Sequence, residues 1–353
     1  MKRKLTFSVA IGFTSVCLFG VLPDRRFFES EVIAATSAAN GQIVQVEGNA
    51  RLERQAQQIR PLPGTPIYPG DRLLASREGT LVVQCTDLTI ASISTEQPNH
   101  CATASAQSCN RDLYECPPRG DLASNSGIPY PISPRRTYLL DDRPQLRWNP
   151  VVGATEYTVS LLEDGVELWR TRTPDTQLDY PGDRPLRSGP EYMLVIETDT
   201  GVSSLEVDPI PGGFGFGLLD DAVRAEVEEA IAQIEAQTLN ESARHLATAF
   251  VYVERGLISE AIDILETLAA NGLENAPLYS RIGQLYWDYL GLPEHALEPY
   301  CQTLELANAD LGDLRQEAQE RLDRATYSCS ISDSSSPSHQ ARNPTVFREG
   351  GEL

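Results

Sequence analysis

Residues 249–265 (AFVYVERGLISEAIDIL) and 283–300 (GQLYWDYLGLPEHALEPY) decide the fold of the C-terminal part, because the second stretch repeats the first. The repeat unit is 34 residues long up to position 286 and 35 residues long beyond it, so the second copy holds one extra residue. A period of this length, with small residues at fixed positions, predicts pairs of antiparallel helices that stack side by side. The echoed pairs are Ala249 and Gly283, Tyr252 and Tyr286, Gly256 and Gly291, Ala261 and Ala296, and Leu265 and Tyr300.

This pattern resembles the tetratricopeptide repeat (TPR), and the resemblance covers residues 218–326. The chain departs from the family in lacking the proline that ends each repeat and in carrying the inserted residue. Two repeats are visible, with an amphipathic helix before them and a further helix at about 310–326. Short stacks of this kind need caps, which the flanking helices can supply.

In arrays of this family the first helix of each pair lines a concave groove that binds a peptide. A large aromatic residue beside carboxylates suits an extended or helical peptide with basic and apolar side chains. The alternative is that Phe250 and Trp287 are covered by the neighbouring helix. The groove residues that the resemblance implies are Leu246, Phe250, Val253, Glu254, Ser280, Gln284, Trp287 and Asp288.

The N-terminal half shows the period-two alternation of β-strands. In residues 41–93, a strand with Gly48, a Gly70-Asp71-Arg72-Leu73 turn and an alternating strand from Gly79 resemble the FecR-like β-domain. That family occurs in exported or membrane-anchored bacterial proteins, and no catalytic residue comes with it. Residues 94–136 are predicted to be irregular and linked by disulfides.

Residues 138–208 predict a β-sandwich with a hairpin turn at Asp164-Gly165. Trp148, Tyr157 and the spacing from Leu186 to Tyr192 resemble a fibronectin type III or related immunoglobulin-like domain. The resemblance implies a tyrosine corner at Tyr192, and the aromatic residues are expected in the core. We predict a linker at 209–217 and a disordered tail at 330–353.

The first 39 residues predict export. Three basic residues at 2–4 precede an almost purely apolar run at 5–22, which is the order of a secretory signal. A cleaved signal peptide and an uncleaved N-terminal anchor remain alternatives, and both place the body in the periplasm or cell envelope. Only through this segment would the chain meet a membrane.

The cysteines agree with export, since six follow Cys17 and an even number predicts a disulfide framework. Their intervals do not match zinc knuckles, so we predict no metal site, although a metal site is the rival interpretation. The connectivity of the first four stays open, and the last two are expected to pair. These six are Cys85, Cys101, Cys109, Cys116, Cys301 and Cys329.

Composition excludes several functions. The net charge of −21 disfavours nucleic acid as a partner. Lys2 and Lys4 are the only lysines, which removes Schiff-base and P-loop chemistry from the body of the chain. No catalytic motif and no cofactor motif is found.

We therefore predict a multi-domain chain, with an all-β N-terminal half (a small β-module plus a β-sandwich) followed by an all-α TPR-like helical array. The expected function is that of a non-enzymatic extracytoplasmic adaptor with a protein partner. The alternatives are a protein that binds cell-wall glycan or another envelope polysaccharide, and an unrecognised hydrolase.

Overall fold

The computed structural model describes residues 38–76, 79–102, 127–182, 184–206 and 215–329. A strand-rich N-terminal part precedes a helical C-terminal part, as the sequence predicts at this coarse level. No helix within the described ranges is long and apolar enough to span a bilayer. The predicted signal or anchor and the predicted tail lie outside the described residues, apart from positions 38 and 39.

Residues 41–98, here called the β-module, form two four-stranded antiparallel sheets in the orders β4-β1-β6-β7 and β3-β2-β5-β8. Their apolar sides meet in one core around Leu52, Leu73 and Leu81, which are all fully buried. The strands are β1 (Gly41–Gly48), β2 (Arg51–Arg54), β3 (Gln57–Ile59), β4 (Pro66–Ile67), β5 (Arg72–Leu74), β6 (Gly79–Cys85), β7 (Ile90–Ile93) and β8 (Gln97–Pro98).

The sandwich pairs a five-stranded sheet, β10-β16-β15-β12-β13, with a three-stranded sheet, β14-β11-β9. All of its strand pairs are antiparallel except β10 with β16, which is parallel. The strands are β9 (Pro131–Ser133), β10 (Thr137–Leu139), β11 (Gln145–Trp148), β12 (Tyr157–Glu163), β13 (Val166–Thr173), β14 (Gln177–Asp179), β15 (Tyr192–Thr198) and β16 (Phe216–Leu218).

Local expectations for the sandwich are confirmed. Asp164 and Gly165 form the hairpin turn between β12 and β13, both with positive φ, as a two-residue turn of this kind requires. Trp148 and Tyr157 are buried and pack edge to face. The Tyr192 hydroxyl accepts a hydrogen bond from the Arg187 N–H at 3.0 Å and donates to the Arg187 carbonyl at 3.2 Å, which ties down the loop before β15.

Two boundaries differ from the expectation. Strands β8 and β9 lie inside the stretch predicted to be irregular, and residues 216–217 of the predicted linker belong to β16. Phe216 is fully buried and stacks on Tyr192, so this residue of the predicted linker serves packing.

The helical array contains six α-helices within the described residues, and consecutive helices from α1 to α6 pack on each other. Asp220 and Asn240 cap α1 and α2 through their side chains, and Asn275 caps α4. The helices are α1 (Asp221–Glu235), α2 (Glu241–Glu254), α3 (Ile258–Ala270), α4 (Ala276–Gln284), α5 (Pro293–Leu306) and α6 (Gly312–Arg324).

The inserted residue of the second repeat is absorbed by a π-helical turn at Leu285–Tyr289, which continues α4. In the first repeat the Leu257 N–H donates to the Tyr252 carbonyl at 2.8 Å. The equivalent Leu292 N–H donates to the Tyr286 carbonyl at the same distance, across one more residue. The wider turn therefore lets both helix pairs close with the same geometry despite their different lengths.

Helices α4 and α5 are in close contact at Gly283. A Cβ at this position would lie 2.8 Å from Cε1 of Tyr300, a fully buried ring. We expect Gly283→Ala to lower the free energy of unfolding by about 1–3 kcal/mol, because the ring has no free space to move into.

Gly312→Ala is the matched control, since Gly312 also lies in a helix and nothing is within 4 Å of the added Cβ. That variant should leave the stability unchanged or raise it by less than about 1 kcal/mol. Urea unfolding followed by circular dichroism measures both, and equal midpoints for the two variants would contradict the packing argument.

Candidate functional site

Residues 130–140, here called the strap, cross the turns between the helices of both repeats. Helix α3 has no cap from its own N-terminal residue Leu257. The Thr137 hydroxyl takes that role, since it accepts hydrogen bonds from Ile258 N at 2.8 Å and Ser259 N at 3.3 Å. The Tyr138 N–H also donates to the Gly256 carbonyl at 2.8 Å. The strap thus supplies the N-terminal cap of α3 from more than a hundred residues away in sequence.

Arg135 of the strap binds the second turn. Its Nε donates to the Leu290 carbonyl at 2.7 Å and its Nη2 to the Gly291 carbonyl at 3.5 Å, with the residue only 2% exposed. Burial lowers the pKa of Arg135 to about 9, and the charge of Arg136 acts in the same direction. The guanidinium stays charged at neutral pH and lies at a helix C-terminus, where the helix dipole favours a cation.

Glu260 on α3 faces the strap. Its Oε1 accepts a hydrogen bond from Leu140 N at 3.0 Å, while the buried Oε2 has no hydrogen-bond partner. Burial raises the pKa of Glu260 to about 8, with Asp263 and Asp141 adding to the effect against the hydrogen bond from Leu140. A large share of the protein therefore carries this carboxyl in its neutral form near pH 7.

The β-module packs on the side of α2 that carries Ala243, Ala247 and Val251, while the predicted groove residues Leu246 and Val253 point into the helical core. Gln42 and Gln84, both buried, donate side-chain hydrogen bonds to the carbonyls of Leu246 and Ala247 at 3.3 and 3.2 Å. The Gln45 side chain accepts from Asn240 N at 2.9 Å, at the start of α2. The core of the β-module also includes residues from the starts of α4 and α6.

Helix α6 covers the same side of the second repeat. Arg321 makes a two-pronged ion pair with Asp288, with distances of 2.8 and 2.9 Å, and its guanidinium lies 5.5 Å from the Trp287 ring centroid. The Gln284 amide donates to both oxygens of Glu317. An arginine of the chain itself, Arg321 on α6, therefore pairs with Asp288, where a basic side chain of a peptide was expected.

Five of the eight predicted groove residues are closed to a partner in this structure. Leu246, Phe250, Val253, Ser280 and Trp287 are each at most 8% exposed. Glu254, Gln284 and Asp288 keep partial exposure, and α6 engages the last two. Phe250 and Trp287 are therefore buried, with Arg321 of α6 lying on the Trp287 ring, and peptide binding by this face stays a prediction.

A cavity of about 360 Å³ lies between the sandwich, α1 and the turn after α2. The Tyr138 ring, Leu219 and Val223 give it apolar walls, and the Gly189-Pro190 loop forms one side. At its rim the exposed Glu226 pairs with Arg255 at 3.5 Å. This volume lies within the range of small-ligand pockets and can receive one large side chain or one ring.

The sequence did not reveal this cavity. Its walls come from four separate segments of the chain, around residues 138, 189–190, 217–226 and 255. A glycine at 217 was a usable signal, since a Cβ there would lie 3.2 Å from the Tyr138 ring. Without a tertiary structure, nothing connects that glycine to a tyrosine 79 residues earlier in the chain.

Two disulfides, Cys85–Cys101 and Cys301–Cys329, are present with Cα distances of 5.3 and 5.6 Å, in the usual range. Cys301–Cys329 is the pair that the sequence predicts. Cys85–Cys101 is one of the pairings that the sequence leaves open. Cys109 and Cys116 lie outside the described residues. Disulfides of this kind indicate an oxidising, extracytoplasmic location.

No protein-family model matches this chain, and no curated protein sequence matches it significantly.

Glu260 makes stability depend on pH in a defined direction. Its pKa in the folded protein, about 8, is above the ordinary value of 4.5, so the folded state binds more protons between these values. The contribution of Glu260 to the free energy of unfolding is fully present below pH 4.5. It is lost as the pH rises toward 8, by up to about 1.4 kcal/mol per pH unit. We expect Glu260→Gln to flatten this decline, as measured by urea unfolding at several pH values.

The exposed helical residue Glu228 provides the control. Glu228→Gln should keep the wild-type pH profile. If Glu260→Gln and the wild type lose stability in parallel from pH 5 to pH 8, the buried carboxyl is ionised in the folded protein and our interpretation is wrong.

Proposed function

We propose that this protein is a non-enzymatic adaptor that works outside the cytoplasm and binds a segment of another envelope protein. The observation that carries the proposal is the cavity beside Tyr138, since five of the eight predicted groove residues are buried and α6 engages two of the others. The resemblances to FecR-like, fibronectin type III and TPR modules support a binding role, since none of them brings catalytic residues.

The chemistry of the cavity suits an apolar anchor flanked by a basic side chain. Tyr138, Leu219 and Val223 offer apolar surface, and Glu226 lies at the rim with its carboxylate exposed. Desolvation of one apolar or aromatic anchor in a pocket, with charged contacts at the rim, is the usual pattern of a small interface hot spot. The net charge of −21 strengthens the attraction of basic segments.

A cell-wall glycan is the second candidate, and one feature favours it. The half-buried Tyr138 ring lies in the same cavity as the Glu226–Arg255 pair. A sugar ring can lie on an aromatic face while its hydroxyls bond to carboxylate and guanidinium groups.

Photo-crosslinking from position 223 of the full chain, in an envelope extract, tests the proposal. We expect a discrete protein adduct at position 223 and none at position 152, a fully exposed site in the loop between β11 and β12. Glu226→Arg should reduce the adduct at least tenfold, because it repels the basic side chain, whereas Glu228→Arg on the same helix should not.

The competing outcomes separate the candidates. Equal adducts at 223 and 152, or an adduct indifferent to Glu226→Arg, would sink the adaptor proposal. Recovery of glycan but no protein at position 223, abolished by Tyr138→Leu, would favour the polysaccharide role.

A further inference from the structure

The Cys85–Cys101 disulfide has a histidine beside it. Cys85 ends β6, and His100 and Cys101 follow β8. The His100 Nε2 atom lies 4.0 Å from the Cys85 Sγ atom, and the three ligand-capable atoms all lie within 4.8 Å of one another. Two sulfurs and one imidazole nitrogen are the ligand types that soft and borderline metal ions such as Zn²⁺ prefer.

These distances are near those of a filled site. Zn–S bonds of about 2.3 Å and Zn–N bonds of about 2.0–2.1 Å at tetrahedral angles put the ligand atoms roughly 3.5–3.8 Å apart. The nitrogen is therefore close to its required place already. After the S–S bond is broken, the sulfurs only need to separate by a side-chain rotation to open the site.

The segment that carries His100 and Cys101 is held without the disulfide. The Asn40 amide donates to the Cys101 carbonyl at 2.9 Å, and the Asn99 amide donates to the Asn40 side chain and to the Tyr68 carbonyl, each at 2.8 Å. The Asn99 N–H donates to the Asp71 carbonyl at 2.8 Å. These bonds keep the two ligands facing Cys85 in the reduced protein.

His100 gives the site an exposed side. Cys85 and Cys101 are buried, whereas His100 is exposed. A metal ion can therefore enter from the His100 side and keep a water molecule as its fourth ligand, with the sulfurs shielded behind it.

We propose that the reduced form of this disulfide is a binding site for one Zn²⁺ ion, with Cys85, His100 and Cys101 as ligands. An external dithiol reductant breaks the S–S bond: it gives two electrons and two protons to the sulfurs and becomes a disulfide itself. Binding of Zn²⁺ to the two thiols then forms two Zn–S bonds and releases those two protons. The oxidised form cannot bind, so the metal and the disulfide exclude each other.

The second disulfide differs in this respect. Among the described residues, no third histidine, cysteine or carboxylate lies close enough to Cys301 and Cys329 to form such a group. It therefore serves as an internal control with the same redox chemistry.

The experiment titrates Co²⁺, a spectroscopic probe for Zn²⁺, into the full chain reduced with a phosphine, in a Cys17→Ser, Cys109→Ser, Cys116→Ser background. We expect one Co²⁺ per chain with thiolate charge-transfer absorption, displacement by Zn²⁺, and no binding to the oxidised protein. His100→Ala should weaken binding at least tenfold, Cys85→Ser with Cys101→Ser should abolish it, and Cys301→Ser with Cys329→Ser should leave it intact.

Three results would overturn the proposal. The first is equal binding by the oxidised and reduced chains. The second is unchanged affinity in His100→Ala. The third is a reduced chain whose circular dichroism shows unfolding and does not recover on addition of Zn²⁺, since the site must then be absent without the disulfide.

Discussion

The hydrogen bonds from the strap to the two helix turns are the constraint on which the rest of the structure depends. Thr137 caps α3, and Arg135 satisfies the carbonyls after the π-helical turn. Because buried backbone groups without partners are costly, neither helix pair could end where it does without this segment. The strap also begins the sandwich through β9 and β10, so the same bonds fix the sandwich against the helices and place Tyr138 in the cavity.

A two-repeat array leaves much of its surface without a neighbouring repeat, and this chain covers that surface with its own residues. The β-module lies on α2 through the amides of Gln42 and Gln84, which donate to helix carbonyls, and through an apolar cluster that joins Val44 and Val82 to α2. Helix α6 lies on Trp287 and neutralises Asp288 with Arg321. Burial raises the pKa of Asp288, while Arg321 opposes that shift, so the ion pair offsets the desolvation of the carboxylate. The side of the second repeat that carries Trp287 and Asp288 is thus an internal interface of the chain.

Each of the two disulfides joins a strand or a helix to a segment later in the chain. Cys85–Cys101 ties the end of β6 to the segment after β8, and Cys301–Cys329 ties α5 to the residues after α6. Closing loops of this length stabilises a protein by about 3–4 kcal/mol, which is large against the total stability of a domain. In the described part of the chain, His100 lies beside the first disulfide alone. The two cysteine pairs therefore have different chemistry once they are reduced.

The sequence by itself determined the order of strands then helices, the aromatic core of the sandwich, the hairpin at Asp164-Gly165 and the pairing of Cys301 with Cys329. These features follow from local periodicity, turn propensity and cysteine count, which act over short distances or by simple chemistry. Tertiary structure alone decided that Phe250 and Trp287 are covered, that Thr137 caps a helix beginning at Ile258, and that Tyr138 meets Val223 and Arg255 in one cavity. It also brought His100 to Cys85. Such contacts join residues far apart in the chain, and a single sequence carries no periodic signal for them, since they depend on how completed elements pack.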